Sequence, residues 1–428
     1  MKRKLTVISL LLLNIAGFSQ SISPIEKKII EYVKTNMPIT EKLLIEAVNI
    51  NSGTLNHEGV RQVGQLFKKE FEALGFTTEW ISLPDSLNRA GHLVATRKGT
   101  KGKKLFLIGH LDTVFEKSMT PGPYTKLTDS TATGQGVNDM KGGDVLVVAA
   151  LKALNAQKLL DDTSITVYFT GDEESSGKPT SISRKDFIDR AKQAEIALCF
   201  EGGNMEFATT ARRGASGWQL TTSGKTGHSA GVFNKNMGYG AIYEAARILD
   251  EFRETLSKEQ YLTFNPGVIV GGTDVDYDHT LDKGTAASKT NIVAQKVFVT
   301  GDLRFLTETQ KENARQKMRE IVTKNLHQTD AEIKFTDGIP SMEPTEANSK
   351  LLEVLNKASI DMGIGPVKAL DPGLRGAGDI SYIAQYVACL DGLGASGRGA
   401  HAPGETINLK EYPSLIQRSA VLIYRLTR

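Results

Sequence analysis

Residues 104–113 read KLFLIGHLDT, and this stretch decides the fold class. Its apolar half predicts a buried strand, which ends where Gly109 and His110 begin a polar segment. A helical stretch and two more strand-like runs follow along the chain, at 143–156, 164–170 and 195–200. Strands that alternate with helices in this way favour an α/β fold, in which a mixed, mostly parallel sheet carries helices on both faces.

The pattern changes after Arg212, in the middle of the chain. A β-α-β-β-α-β order is predicted there, and it is typical of a small ferredoxin-like α+β domain. The predicted strands are 217–223, 268–271, 289–293, 296–304 and 331–335, and the predicted helices are 239–256 and 308–326. We predict that this domain, 213–338, is inserted into a larger domain made of 20–212 and 339–428. The larger domain is also expected to hold helices at 25–47 and 348–362.

The first 19 residues are predicted to form a secretory signal peptide. Lys2, Arg3 and Lys4 precede an apolar run at 5–16, and small residues follow that run. The alternative is a retained N-terminal anchor, but the run is shorter than the roughly 20 residues that a membrane span needs. We therefore expect a secreted or periplasmic protein.

The charge balance argues against a nucleic-acid partner and against a membrane partner for the mature form. The full chain has a formal net charge of +3, and removal of the three basic N-terminal residues leaves a neutral chain. Its two cysteines, Cys199 and Cys389, both lie in apolar runs. Export would permit a disulfide, but buried thiols are the favoured interpretation.

Five segments place a side chain able to bind a metal or transfer a proton beside a strand end or a glycine. They carry His110 with Asp112, Asp139, Glu173 with Glu174, Glu201, and His401. Most of them are weak evidence alone, because a turn or a helix N-cap explains them too. Glu173 and Glu174 are the exception, since adjacent acids after a strand predicted to be fully buried argue against a solvated acidic turn. Together they supply two histidines and three carboxylates besides Asp112 and Glu173. That set suits two zinc-like ions that share a bridging carboxylate and a bridging water.

In this order, the five segments resemble the metal-binding motifs of the glutamate-carboxypeptidase/aminoacylase family of zinc metallopeptidases, over nearly the whole mature chain. The resemblance implies two zinc ions, or cobalt or manganese in their place, bridged by Asp139. It assigns one ion to His110 and Glu201 and the other to Glu174 and His401. It makes Glu173 the general base and Asp112 the acid that orients His110. It further implies a cis peptide bond between Asp139 and Met140.

The resemblance extends to the inserted domain. His228, in the segment 223–229, matches a histidine that stabilises an oxyanion, and Asn291 and Arg304 match positions that bind substrate. The family's insert usually mediates dimerisation, so a homodimer is expected. Amides of the glycine loop around Gly376 and Gly378, together with an arginine fork, are expected to hold a substrate carboxylate.

The sequence thus predicts a secreted di-zinc peptidase of the carboxypeptidase type, which hydrolyses an amide bond next to a free carboxylate in a small peptide or N-acyl amino acid. Glu at position 201 resembles the carboxypeptidases and deacylases of the family. Some glutamate carboxypeptidases carry Arg where this chain has Ile339, which leaves glutamate preference open, with Arg375 a possible replacement. An N-acyl amino-acid deacylase or a dipeptidase is the nearest alternative. An inactive binding protein is a distant one, because no catalytic or ligand residue is lost.

Overall fold

The computed structural model describes residues 22–119, 122–279 and 281–428. The predicted signal peptide, 1–19, lies outside the described residues. The helices are α1 (Pro24–Thr35), α2 (Met37–Val48), α3 (His57–Ala73), α4 (Lys141–Ala156), α5 (Thr180–Ser183), α6 (Lys185–Ala191), α7 (Ala241–Leu256), α8 (Glu308–Val322), α9 (Glu346–Asp361) and α10 (Tyr412–Leu426). None of these helices is both long enough and apolar enough to cross a membrane.

The strands fall into one large sheet, a second sheet in the middle of the chain, a third sheet of four short strands, and two two-stranded pairs. They are β1 (Thr77–Ile81), β2 (His92–Arg97), β3 (Lys101–His110), β4 (Thr125–Thr128), β5 (Thr131–Thr133), β6 (Thr163–Thr170), β7 (Ile196–Cys199), β8 (Phe207–Ala208), β9 (Gly214–Gly224), β10 (Thr263–Gly272), β11 (Asp274–Asp278), β12 (Lys283–Ala287), β13 (Lys296–Phe305), β14 (Thr329–Asp337), β15 (Lys368–Ala369), β16 (Ala388–Leu390), β17 (Gly397–Arg398) and β18 (Thr406–Asn408).

The large sheet has the strand order β1-β2-β6-β3-β7-β16. Strands β6, β3, β7 and β16 pair in parallel, whereas β2 is antiparallel to its neighbours. Alternate residues of each strand pack on opposite faces of the sheet. Leu107 on β3 joins the core beneath α3, α4 and α10, while Phe106 joins a second core with Phe187 of α6. The prediction of a mostly parallel sheet with helices on both faces is confirmed.

The second sheet has the order β10-β13-β9-β14, and every pair in it is antiparallel. Helices α7 and α8 cover one face and form a separate core with Trp218 of β9 and Val299 of β13. This is the predicted ferredoxin-like order. We call the part from β9 to β14 the insert. Its two connections to the rest of the chain pair with each other, because Arg212 and Met342 form an antiparallel bridge.

Two local predictions are wrong. The predicted helix 25–47 is two helices, α1 and α2, separated at Asn36, because Pro38 sits in the first turn of α2 and cannot continue a helix from α1. The predicted strand 289–293 is a loop that makes only a single bridge, at Ile292, and the hairpin β11–β12 precedes it. Cys199 and Cys389 are free, buried thiols, as expected.

Aromatic packing between α3 and the large sheet yields a stability prediction. Phe67 of α3 is fully buried and meets Phe169 of β6 edge-on, with ring centroids 5.5 Å apart. Phe67→Ala should lower the free energy of unfolding by about 3–5 kcal/mol, since it removes this contact and leaves a cavity. Urea denaturation followed by circular dichroism measures the change. The matched control is Leu127→Ala at an exposed strand position. Equal effects of the two substitutions would contradict the assigned core.

Candidate metal centre

The candidate residues gather at one edge of the large sheet. Strands β6, β3 and β7 are parallel neighbours, so their carboxyl ends meet at this edge. His110 is the last residue of β3, Glu173 and Glu174 follow β6, and Glu201 follows β7. Asp139 reaches the same place from the loop that precedes α4.

The side chains form two groups that share Asp139. In the first group, His110 Nε2 lies 3.2 Å from Asp139 Oδ1 and 3.5 Å from Glu201 Oε1. In the second, His401 Nε2 lies 3.0 Å from Asp139 Oδ2 and 3.2 Å from Glu174 Oε2. Each carboxylate oxygen of Asp139 thus faces a different histidine. This is the arrangement that a carboxylate bridging two ions requires.

The donor set fits two zinc-class ions. Ligand atoms about 2.0–2.1 Å from a tetrahedral zinc stand roughly 3.3 Å from one another, close to the separations found in both groups. Glu174 Oε1 is buried without a hydrogen-bond partner, which leaves an orphaned ligand oxygen in the second group. Hydrogen bonds to Asp139 and Glu174 raise the pKa of His401 to about 11, so the surroundings strongly favour positive charge.

Asp112 organises the centre from behind. Its backbone carbonyl lies 3.0 Å from His110 Nδ1, which leaves Nε2 of that ring free to face the metal position. Its carboxylate accepts hydrogen bonds from the backbone amides of Glu173 and Glu174, at 3.0 and 3.1 Å, and from the Thr54 hydroxyl at 2.6 Å. The predicted orienting acid therefore contacts a candidate ligand and also fixes the segment that carries the predicted base.

The Asp139 loop depends on a residue to which no sequence motif assigns a role. Buried Glu405 accepts hydrogen bonds from the backbone amides of Gly136, Asn138 and Asp139, at 3.1, 2.7 and 2.7 Å. The peptide bond between Asp139 and Met140 is cis, as predicted. Glu405 was visible only as an acid near His401 in a glycine-rich loop, and no local pattern signals a partner 266 residues away.

Two glycines let α4 approach the sheet closely. A Cβ at Gly143 would lie 2.0 Å from the carbonyl oxygen of Phe200, and one at Gly142 would lie 2.5 Å from that of Val137. Any larger residue would therefore push α4 away from the end of β7. The glycine pair sets the distance between the Asp139 loop and the strand that leads to Glu201.

Glu173 lies beside both groups without joining either one. Burial raises the pKa of its carboxyl well above the usual range, an effect that His110 opposes and that the carboxylates of Glu201 and Asp379 reinforce. A carboxyl group with a raised pKa beside candidate metal ligands has the properties of a general base that later returns its proton.

The candidate residues of the insert are separate from the metal ligands. His228 and Asn291 are exposed neighbours beyond the far end of β9, where Ser229 N donates to Asn291 O at 2.9 Å. Arg304 lies at the opposite end of the sheet, paired in register with Ala215 and bonded to Asp302 at 2.8 Å. The strand rises by eight steps between Ala215 and Ser223, so these ends lie roughly 26 Å apart.

The glycine loop 376–379 lies where the insert joins the large domain. Buried Arg212 donates to the carbonyls of Gly376 and Ala377, at 3.1 and 3.0 Å, and pairs with Asp391. A Cβ at Gly378 would lie 2.6 Å from the Arg212 guanidinium, so that position requires glycine for packing. The amides of Gly376, Ala377 and Gly378 donate to no other described residue, which leaves three donors for a ligand.

Comparison with known proteins gives the class of protein. The family model for peptidase family M20/M25/M40 matches residues 106–425. The chain therefore belongs to this family of metallopeptidases, and the resemblance inferred from its motifs is confirmed.

Individual relatives match about nine-tenths of the chain. Carboxypeptidase G2 of Pseudomonas sp. is 27% identical over 90% of this chain and 89% of its own. A succinyl-diaminopimelate desuccinylase of Psychrobacter sp. is 24% identical over 88% of this chain and 93% of its own. Among solved structures, aminopeptidase PepT from Bacillus cereus has the same fold, with a TM-score of 0.72 at 19% identity, over 91% of this chain and 99% of its own.

Asp139 is predicted to be essential for both ions. Asp139→Ala removes an oxygen from each group, so zinc content after desalting should fall from two ions per chain to fewer than one. Inductively coupled plasma mass spectrometry measures the zinc content, and circular dichroism verifies folding. His327→Ala, an exposed histidine of the insert, is the control and should keep two ions. A folded Asp139→Ala protein with two tightly held ions would rule out the bridge.

Proposed function

We propose that this protein is an exported di-zinc metallopeptidase of the carboxypeptidase type. It would hydrolyse an amide bond next to a free carboxylate in a small peptide or N-acyl amino acid. Export is inferred from the basic start and apolar run of the first 19 residues. The observation that supports this proposal is the position of Asp139. Its two oxygens each face a separate histidine–carboxylate pair, and Glu173 lies alongside.

Metal ions held by the two groups would polarise the scissile carbonyl and lower the pKa of the attacking water. Glu173 would accept a proton from that water and then donate it to the leaving amine. Asp112 would hold His110 in the tautomer that presents Nε2 and would keep the Glu173 backbone in place. His228 would donate to the oxyanion that forms at the carbonyl.

The substrate carboxylate is assigned to the glycine loop. The unpaired amides of Gly376 and Gly378 point to an anion, and Arg375 directly precedes them in the chain. Arg375 donates to the carbonyl of Gly202 at 3.1 Å and forms no ion pair with any described residue. Arg304 would complete the binding site from the insert of the same chain. Asn291 lies beside His228 at the opposite end of the sheet, so it would contact the substrate together with His228.

Deacylation is the second candidate because it shares the same chemistry. A desuccinylase and a carboxypeptidase are both relatives of similar coverage. The two activities differ in whether the acyl group or the released amino acid is recognised. A panel of N-acyl amino acids, dipeptides and their C-terminal amides, tested with zinc-loaded protein, separates them. Cleavage that requires a free C-terminal carboxylate supports the carboxypeptidase type, and cleavage of C-terminal amides at equal rates contradicts it.

Glu173→Ala is predicted to lose most turnover while keeping its metal and its fold. A general base contributes about 10²–10⁴-fold to the rate, and no metal ligand is removed. Steady-state kinetics on the best substrate of the panel, with metal analysis alongside, tests this. Glu58→Ala, an exposed acid on α3, serves as the matched control. A rate within a few-fold of wild type would place the base elsewhere.

A homodimer is proposed because His228 lies at the distal end of the insert. Exposed apolar side chains cluster nearby: Phe233 stacks with Tyr239 and Tyr243, and Ile242 flanks them on α7. Strand β10 forms one edge of the sheet on the same side. An apolar patch beside an open strand edge suits a two-fold contact with a second copy. In such a dimer, His228 would serve the centre of its partner.

Subunit mixing tests the shared site. Glu173→Ala and His228→Ala proteins should each be nearly inactive. After subunit exchange, half of the dimers are hybrids, and each hybrid holds one complete site, so activity should return to about a quarter of wild type by random pairing. Native mass spectrometry verifies the exchange. Confirmed exchange without any return of activity would mean that His228 serves its own chain or has no catalytic role.

A further inference from the structure

Arg184 is fully buried between α5 and α6, close to the candidate centre. Its guanidinium donates to Asp172 Oδ1 at 2.5 Å, to the Asp172 carbonyl at 3.1 Å and to the Ser176 hydroxyl at 3.1 Å. Its Nε donates to Asp379 Oδ1 at 2.8 Å. A single guanidinium thus spans two carboxylates, which requires the planar, forked geometry of arginine.

The two carboxylates belong to the two loops on which the proposed reaction depends. Asp172 directly precedes Glu173, the proposed base. Asp379 ends the glycine loop that is assigned to the substrate carboxylate, 195 residues from Arg184. A second hydrogen bond joins these loops, from the Thr170 hydroxyl to Asp379 Oδ2 at 2.7 Å. Arg184 is therefore the charged connection between them.

The segment before Glu173 is held on its other side as well. The Gly171 amide donates to His92 Nδ1 at 3.1 Å, and His92 Nε2 donates to the carbonyl of Ser183, next to Arg184. Asp172 Oδ2 accepts from the Gly177 amide at 2.8 Å. The Gly171–Glu174 backbone is thus held on both sides, because Asp112 accepts from the amides of Glu173 and Glu174, and it has little freedom once Arg184 is in place.

Stability alone does not account for this arrangement. Burial of charged groups costs free energy that their mutual attraction often only offsets, so a buried ion pair is weak evidence for stabilisation. Such groups are better explained where they fix one geometry among several. Here the geometry that they fix is the position of the base segment relative to the glycine loop.

We propose that Arg184 is a positioning residue, which couples the orientation of Glu173 to the position of the glycine loop 376–379. This inference rests on the proposed function for the roles of the two loops. The consequence is that binding of the substrate carboxylate and alignment of the base are linked. A shift in either loop is transmitted to the other through the guanidinium.

The test compares Arg184→Lys with Thr170→Val in the full-length, zinc-loaded protein. Lysine keeps the positive charge but lacks the fork, so it pairs with only one of the two carboxylates. Valine removes the other contact between the loops and leaves Arg184 intact. On the best substrate of the panel, Arg184→Lys should lower kcat at least about tenfold and raise KM, since small misplacements of reacting groups cost up to about 10²-fold. Thr170→Val should change each constant less than about threefold.

Hydrogen–deuterium exchange gives a readout that is independent of turnover. In Arg184→Lys, amides of 171–177 and of 376–381 should both exchange faster, while the zinc content stays at the wild-type value. Asp379→Asn should also accelerate exchange in 171–177, although Asp379 has no direct contact with Asp172. Wild-type protection of both segments in Arg184→Lys, or acceleration of only one segment, overturns the coupling. If wild type cleaves nothing in the panel, the proposed function fails while the exchange data still decide the coupling.

A neutralised variant covers the case in which Arg184→Lys does not fold. The triple substitution Asp172→Asn, Arg184→Met and Asp379→Asn removes all three charges together, so no unpaired charge remains buried. The coupling predicts that this protein folds but shows the lower kcat, the raised KM and the faster exchange in both segments. Wild-type kinetics and exchange in the triple variant would overturn the coupling and leave Arg184 with a structural role alone.

Discussion

Carboxylates crowd the carboxyl edge of the large sheet, and their mutual repulsion is the constraint to which the surrounding structure responds. Asp139, Glu174 and Glu201 lie within a few ångströms of the two candidate histidines. Like charges at this distance coexist only where cations or oriented donors compensate them. The fold supplies donors from behind, through backbone amides that bond to Asp112 and Glu405. Bound metal ions would supply the cations that compensate the remaining carboxylate charge.

The acids behind the centre serve a different purpose from the acids within it. Asp112 and Glu405 accept backbone amides and so fix the loops that carry the ligands. Asp172 and Asp379 share one cation, Arg184, which sets the distance between two loops. The candidate metal ligands are therefore held in place by these four carboxylates, each of which has its own hydrogen-bond partners. A loop whose own amides are bonded this way keeps its ligand oxygens in position without help from local secondary structure.

The sequence predicted the parts of the fold that depend on local pattern. Apolar runs located β3, β6 and β7, and helical spacing located α7, α8 and α9. The same reasoning failed where a single residue overrides the pattern, as Pro38 does between α1 and α2. The same reasoning also missed the hairpin β11–β12, because β11 contains three aspartates and aspartate is rare in strands. Glu405 is not assigned from the sequence because its partner Asp139 lies 266 residues away, and Arg184 is not assigned because Asp379, which it joins to Asp172, lies 195 residues away.

The sequence by itself determined the fold class, the family and the chemical types of the candidate ligands, because strand ends and residue types are local properties. Only the tertiary structure decided that each oxygen of Asp139 faces a different histidine and that Glu405 holds the loop beneath. It also placed His228 and Arg304 at opposite ends of one sheet. These relations depend on strand register and on charge compensation between distant segments. Both are set when the chain packs, because a carboxylate is buried only where the folded chain brings it a partner.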